Sequence, residues 1–295
     1  MDVEYSPKTI ASPHGPLLRV SSKMIDKCIE YLSLNREVGV EISIGNGYYE
    51  SDLSWLTHCP WLTTLRLESA RDFPAEDILV LRELRNLSFG NTGFADGFDY
   101  SRFPRLEYVE IRWGQAVARD IDCGRLNVPS LYLVNYRHKS RDFYPLSGMD
   151  KLREMVVHAT NVVSTSGISR LTQIKKLWLM YPRKLVDIKE IGECKSIEDL
   201  RIDDVKSVRN VTDVIQNLTN LVHLSISDIS AIDSLRFVRK LPNLRTIAFV
   251  GTRVLDGDIS PCLHLDHVGF TDRKGYSHTY REVLRLIRSR STLKR

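Results

Sequence analysis

Apolar positions along this chain follow two rhythms that take turns. The first is a short L-x-x-L-x-L run, complete at Leu62, Leu65 and Leu67. It recurs with apolar substitutions at Leu84, Leu87 and Phe89; Leu106, Val109 and Ile111; Val128, Leu131 and Leu133; and Leu152, Met155 and Val157. Further copies follow at Ile174, Leu177 and Leu179; Ile197, Leu200 and Ile202; Leu221, Leu224 and Ile226; Leu244, Ile247 and Phe249; and Leu265, Val268 and Phe270. Ile42 and Ile44 are read as the beginning of the series. Successive copies start 21 to 24 residues apart, as from Leu244 to Leu265 and from Ile197 to Leu221. The second rhythm has a spacing of three: Leu185, Ile188, Ile191, Cys194 and Ile197, and again Ile229, Ile232, Leu235, Val238, Leu241 and Leu244. Phe143, Leu146, Met149 and Leu152 repeat it. A period of two predicts a strand, and a spacing of three predicts a helical or 3-10 turn.

A strand and a turn that each show one apolar side cannot bury that side alone, so such units stack around a continuous core. The expected fold is an α/β solenoid, a curved horseshoe. Its concave side is a parallel sheet, its convex side is mixed helical and 3-10, and each end carries a helical cap. Met24, Ile25, Cys28, Ile29 and Leu32 share one helical face before the first repeat, with Ser21 or Ser22 as N-cap. Thr279-x-x-Glu282 reads as a capping box opening a helix with Val283, Leu284, Leu286 and Ile287. The layout is therefore one domain over 1–295: an N-terminal cap (1–38), about eleven repeats (39–270), and a capping helix with a basic tail (271–295). It leaves no room for a separate catalytic domain.

The run Leu62-x-x-Leu65-x-Leu67 and its copies resemble the leucine-rich-repeat family, over roughly residues 39–270. The likeness is to the ~22-residue type found in phosphatase regulators and bacterial internalins. The resemblance implies the same horseshoe. The family's asparagine, three residues after the second strand leucine, is replaced by Ala70, Gly114, Tyr136, Pro182, Val205 and Ile229. Thr92, Thr160 and Thr252 can supply some of its backbone hydrogen bonds. Repeats around 112–150 are irregular and are where the standard coil is expected to be left.

With the leucines inward, the residues between them face the concave surface. The central column reads Arg66, Ser88, Glu110, Tyr132, Val156, Trp178, Arg201, Ser225 and Ala248. One flank contributes Arg112, Val134, His158, Met180 and Asp203, and the other Tyr108, Lys176 and Asp199. Tyr132, Val134, Val156, Trp178 and Met180 form an apolar and aromatic centre. Glu110 and Arg112 lie to one side, and Arg201, Asp199 and Asp203 to the other. An aromatic centre with a charged rim is how a protein–protein hot spot is built. The candidate partner-binding residues are therefore Arg66, Tyr108, Glu110, Arg112, Tyr132, Val134, Val156, His158, Trp178, Met180, Arg201 and Asp203. One register has a rival. If Leu131 starts its repeat, as Pro129-Ser130-Leu131 suggests, Val134 and Tyr136 turn inward and Tyr132 leaves the face. Leu131 and Leu133 are the better core residues.

Composition changes this picture little. Of 295 residues, 42% are hydrophobic and 27% charged, and the net charge of +5 is too small to name nucleic acid as a partner. The first residues, Met1 to Tyr5, lack the basic start and apolar run of a signal peptide, and no apolar stretch is long enough for a membrane span. Cys28, Cys59, Cys123, Cys194 and Cys262 are far apart and form no C-x-x-C, which suits reduced, mostly buried thiols in a cytoplasm. His264, His267 and His278 with Asp266 and Asp272 lack metal-ligand spacing. Gly45-Asn46-Gly47 is a turn without the lysine of a phosphate loop. No G-x-S-x-G is present. Neither cofactor nor metal is expected, no small-molecule substrate, and no enzymatic activity. Arg281, Arg285, Arg288, Arg290, Lys294 and Arg295 read as a solvated helix face and tail. The segment 135–141 is a basic loop able to meet an acidic partner or simply to face water.

The expected function is non-enzymatic binding of another protein. Compact chains of repeats and caps, with an ending like Phe270-Thr271-Asp272-Arg273-Lys274-Gly275-Tyr276-Ser277-His278, resemble bacterial repeat proteins that act as immunity proteins against toxins. That resemblance implies an inhibitor that covers a partner toxin or enzyme. A scaffold or regulatory subunit of a cytoplasmic complex is the alternative, followed by a nucleic-acid binder.

Overall fold

A computed structural model describes residues 8–68, 73–90, 98–209 and 211–293. Ala70, Thr92, Lys294, Arg295 and the first five residues, all named above, lie outside them. The chain divides between Tyr132 and Leu133 into two compact units.

The first unit carries β1 (Thr9–Ile10), β2 (Leu17–Val20), β3 (Gly39–Ser43), β4 (Thr64–Glu68), β5 (Asn86–Phe89) and β6 (Tyr108–Arg112), hydrogen-bonded in chain order. The β1–β2 pair is antiparallel and the later pairs are parallel. Val40 and Ile42 stand opposite Leu65 and Leu67. The inward residues of this strand are thus Val40 and Ile42, two residues earlier than the expected Ile42 and Ile44, and Ile44 opens a 3-10 turn. The same unit holds α1 (Ile25–Leu34), which buries Cys28 and Leu32. Its preceding serines do not cap it. Ser21 Oγ donates to Gly47 O, and Ser22 Oγ accepts from Tyr49 N–H, so both tie the helix entry to the next repeat instead. The predicted irregularity is α2 (Gln115–Asp122), a full helix where other repeats have a turn. Its Asp120 is buried 3.4 Å from Arg125, and burial pushes the carboxyl above its ordinary range.

β7 (Ser130–Val134) runs across the division. Leu131 and Leu133 are buried while Tyr132 and Val134 are half-exposed. In the rival register Leu133 would turn outward, forfeiting about 2 kcal/mol, which is why that register loses. Tyr136 is nonetheless fully buried, with its hydroxyl donating to Asp142 O.

The second unit carries β8 (Glu154–His158), β9 (Lys176–Met180), β10 (Asp199–Asp203), β11 (His223–Ser225), β12 (Thr246–Phe249) and β13 (His267–Phe270), all parallel and in chain order. The residues spaced by three form turns at Ile168–Arg170, Lys189–Glu193 and Arg236–Lys240 and the short α3 (Val211–Ile215), stacked on one another. Leu185, Ile188, Ile191, Cys194 and Ile197 are all buried, as are Ile229 to Leu244 at the same spacing.

After each of β7 to β12 the chain leaves the sheet through a left-handed residue. Asn135, Ala159, Tyr181, Asp204 and Asp228 have φ of 52–59°, and Gly251 has 74°. Each of the five donates its N–H to the carbonyl just before the next left-handed residue: His158, Met180, Asp203, Ser227 and Val250, at 2.8–3.3 Å. This ladder explains how the coil dispenses with the asparagine. Thr160 and Thr252 take over where a hydroxyl is available. Thr160 Oγ1 donates to Tyr136 O (2.9 Å) and accepts from Val162 N–H. Thr252 Oγ1 donates to Ile226 O (2.7 Å) and accepts from Ile229 N–H. Pro182 has no N–H to satisfy.

The unit ends in α4 (Tyr280–Leu293). The capping box is formed: Thr279 N–H donates to Glu282 Oε2 at 2.7 Å, and Glu282 N–H to Thr279 Oγ1 at 3.3 Å. These bonds hold the Glu282 carboxyl below its ordinary range. Val283 and Ile287 are buried, but Leu286 is exposed. Arg290 is no solvated side chain, because its guanidinium donates to the carbonyls of Leu263 and Leu265.

Candidate functional site

The open side of the strands carries the candidate residues, and the two units present different surfaces. In the first unit, register lines up Glu41, Arg66, Ser88 and Glu110. Arg66 pairs with Glu68 at 2.6 Å. Burial alone would lower its pKa, but Glu68, Glu110 and Glu41 raise it. Ser88 Oγ donates to Glu110 Oε2 at 2.7 Å. Tyr108 lies beside them, and burial, with Glu110 second, pushes its phenol well above the ordinary range. Across this surface lies the turn between β1 and β2. His14 places its ring 4.1 Å from that of Tyr108. Sequence reading assigned residues 1–38 to a cap and did not single out this turn. Arg112 is exposed, and Tyr132 is half-exposed.

In the second unit, register lines up Val156, Trp178, Arg201, Ser225, Ala248 and Gly269. Trp178 is the centre. Its indole N–H donates to Asp199 Oδ1 at 2.9 Å. Lys176 Nζ lies 4.3 Å, and Arg201 Cζ 5.1 Å, from a ring centroid of the indole. Arg201 also pairs with Asp203 at 2.9 Å, and Asp203 accepts from Ser225 Oγ. Asp199 and Arg201 are thus not a detached rim; they hold the aromatic ring. Val156 stands in register with Trp178 and is 9% exposed. Val134, Met180 and His158 are half-exposed. His158 meets Tyr181, one of the left-handed residues, edge to face at 5.3 Å.

A feature missed from sequence adjoins Trp178. The central column tapers to Ser225, Ala248 and Gly269, and α4 rises beyond it with Tyr280 and Leu284. The result is an open trough of about 450 Å³, walled by Trp178 and Arg201 at one end and by Tyr280 and Leu284 at the other. Its edge carries His223, whose Nδ1 is 2.8 Å from Thr246 Oγ1, and His267. The signal in the sequence was the shrinking side chains followed by an aromatic at the start of the capping helix. An open trough suits a segment of protein better than a small molecule, whose sites bury most of the ligand.

Other candidates resolve into structure. Among the described residues no group of His, Cys, Asp and Glu has the geometry to hold a metal ion, and no helix is long and apolar enough to cross a membrane. Asp272 accepts from Tyr280 N–H at the start of α4. Cys28, Cys59, Cys194 and Cys262 are buried, and Cys123 is exposed. Burial pushes the Cys59 thiol up to about 11 and those of Cys194 and Cys262 up to about 12, which leaves them poor nucleophiles. The basic loop is a formed turn: Ser140 Oγ donates to Asp142 and meets His138 Nδ1, while Arg137 and Lys139 point to solvent.

Comparison with solved structures agrees with this architecture. A leucine-rich-repeat protein of Leptospira interrogans matches at TM-score 0.59 and 14% identity, covering 87% of this chain and 71% of its own. The fold is a leucine-rich-repeat solenoid. An internalin of Listeria monocytogenes matches at TM-score 0.51 and 14% identity, over 81% of this chain and 75% of its own. The receptor in a TLR13–ssRNA13 complex matches at TM-score 0.54 and 14% identity, over 86% of this chain and 38% of its own. No family model and no curated protein matches the sequence. At these identities the likeness concerns the fold.

Proposed function

We propose that this leucine-rich-repeat chain is a non-enzymatic protein-binding module. Its partner sits on the open face of the second unit, from Trp178 to α4. One observation carries the reading: Trp178 is half-exposed yet held by Asp199, Lys176 and Arg201 beside an open trough. An aromatic ring fixed before binding loses little entropy on binding, so more of its contact energy appears as affinity. His158, Met180, Arg201 and Asp203 surround it and set orientation through shape and charge. Tyr132, Val134 and Arg112 are offered to the same class of partner from β6 and β7. A binder of this kind neutralises an enzyme or toxin when the covered surface is the partner's active site, and we take that immunity-type role as the function. Buried, unpaired thiols suit a reducing compartment, and we take the cytoplasm as the site of action.

The test is capture with tagged chain from lysate, followed by assay of the captured protein. Activity should fall in proportion to added chain and reach near zero at equivalence. Full activity in the saturated complex would replace the inhibitor by a scaffold or regulatory subunit. Salt-sensitive retention on DNA or RNA, with no protein captured, would sink both readings.

A further inference from the structure

The loop after β12 and the turn after β13 hold a cavity of about 520 Å³ between them. The first contributes Arg253, Leu255 and Gly257, and the second Arg273, Lys274 and Gly275. Backbone fixes the two against each other. Ser277 N–H donates to Gly257 O at 2.8 Å, and Val254 N–H donates to the Tyr276 hydroxyl at 3.0 Å. Gly257 has φ of 68°, and a Cβ there would lie 2.5 Å from Gly275 O, so only glycine fits. Tyr276 N–H donates to Arg273 O at 3.2 Å and closes the second turn, with Gly275 at φ of 94°.

The lining holds three cations and no carboxylate. Arg273 is oriented by donating to Gly251 O at 3.2 Å. Arg253 and Lys274 are exposed and form no ion pair among the described residues. The carboxylates nearest in sequence are engaged in their own turns: Asp256 accepts from Asp258 N–H, Asp258 from Ser260 N–H, and Asp272 from Tyr280 N–H. Gly257 and Gly275 also line the cavity, and neither N–H donates a hydrogen bond among the described residues. Gly257 is buried, and a buried N–H without an acceptor is rare in folded proteins. An acceptor entering from the cavity would satisfy it.

We propose that this cavity binds a phosphate group, either the free ion or the end of a small phosphorylated molecule. Phosphate oxygens accept from guanidinium, ammonium and backbone N–H donors together, and charge-assisted bonds of this kind are roughly twice as strong as neutral ones. A phosphate is held through its oxygens, so a cavity open to solvent serves it where a neutral ligand needs enclosure. The site shares no residue with the trough beside Trp178, so the two stand or fall separately.

The experiment titrates the full chain with pyrophosphate and, in a second arm, with inorganic phosphate, by calorimetry and by amide NMR. Saturable binding is expected, with the largest shifts at the Gly257 and Gly275 amides. Arg253→Ala with Lys274→Ala should weaken it at least tenfold at an unchanged melting temperature. Arg281→Ala with Arg285→Ala removes the same charge from exposed positions on α4 outside the cavity and should leave binding as it was. Inorganic phosphate binding as tightly as pyrophosphate would identify the free ion as ligand, and tighter pyrophosphate a larger phosphorylated molecule. Equal weakening by the two double variants, or no shift at either glycine, would reduce the effect to general charge and overturn the site. Absence of saturable binding in both arms would overturn it as well. A single-stranded oligonucleotide that binds more tightly than pyrophosphate, and loses that binding in Arg253→Ala with Lys274→Ala, would replace the small ligand by nucleic acid.

Discussion

Trp178→Ala is expected to weaken partner binding by about 2–4 kcal/mol, roughly thirty-fold to several hundred-fold, while leaving the fold intact. The magnitude follows from its position. The indole sits at the trough wall with its N–H committed to Asp199 and two cations against its faces. Truncation removes the contact area and also releases Lys176 and Arg201 from their ordered arrangement. Stability should change little, because the core layer beneath, Leu177 and Leu179, is untouched and fully buried. Trp178→Phe separates the two contributions. It keeps an aromatic ring but leaves Asp199 without its donor, and roughly a tenfold loss is expected. Titration calorimetry with purified partner checks both. Wild-type affinity in Trp178→Ala would mean that the tryptophan only packs on its own sheet.

Gly167→Ala should cost the second unit about 3 kcal/mol, lowering the melting temperature by roughly 6–12 °C. Gly167 has φ of 94°, where any Cβ is strained. An added Cβ would also lie 2.5 Å from Tyr144 Cα and N and 2.8 Å from Phe143 C. Those are backbone atoms of the preceding turn, which cannot rotate away as a side-chain tip would. They are further held by the Phe143 N–H bond to Ser166 O, and Gly167 by its own N–H bond to Glu190. Gly148→Ala is the control: open space surrounds it and its φ is not left-handed, so its melting should match the parent. Circular-dichroism melts of the three proteins decide the matter, and parent-like melting of Gly167→Ala would show that the turns are not packed backbone to backbone.

What could be read in the sequence was whatever repeats. Leu177 and Leu179 declare a strand because nine other copies share the spacing, and Ile188 with Ile191 declares the turn behind it. Trp178 and Arg201 followed from alternation alone. What escaped reading was non-periodic. Val40 precedes the first clear copy, so the series was started two residues late, at Ile42 rather than Val40. Ser21 and Ser22 had the right chemistry for a cap, but their hydroxyls found backbone partners at Gly47 and Tyr49 in the next repeat. The lean of His14 onto Tyr108 joins the β1–β2 turn to β6, with β3, β4 and β5 between β2 and β6, and no local pattern encodes that. The left-handed ladder was hidden for another reason. Asn135, Asp204 and Asp228 are residue types that tolerate positive φ, but Ala159 and Tyr181 are not, and stacking on both sides holds them there at a cost of about 1 kcal/mol each. The trough needed two elements, tapering strands and α4, and sequence reading had assigned α4 to capping alone.

The central claim is that the open side of the second unit's strands is the binding surface. Hydrogen–deuterium exchange of this chain with and without its partner tests it most directly. The account predicts slowed exchange through β9 to β13 and at the start of α4 around Tyr280, with the turns at Lys189–Glu193 and Arg236–Lys240 unchanged. Slowed exchange in those turns, with the strands and Tyr280 unaffected, would place the partner on the opposite side and contradict it.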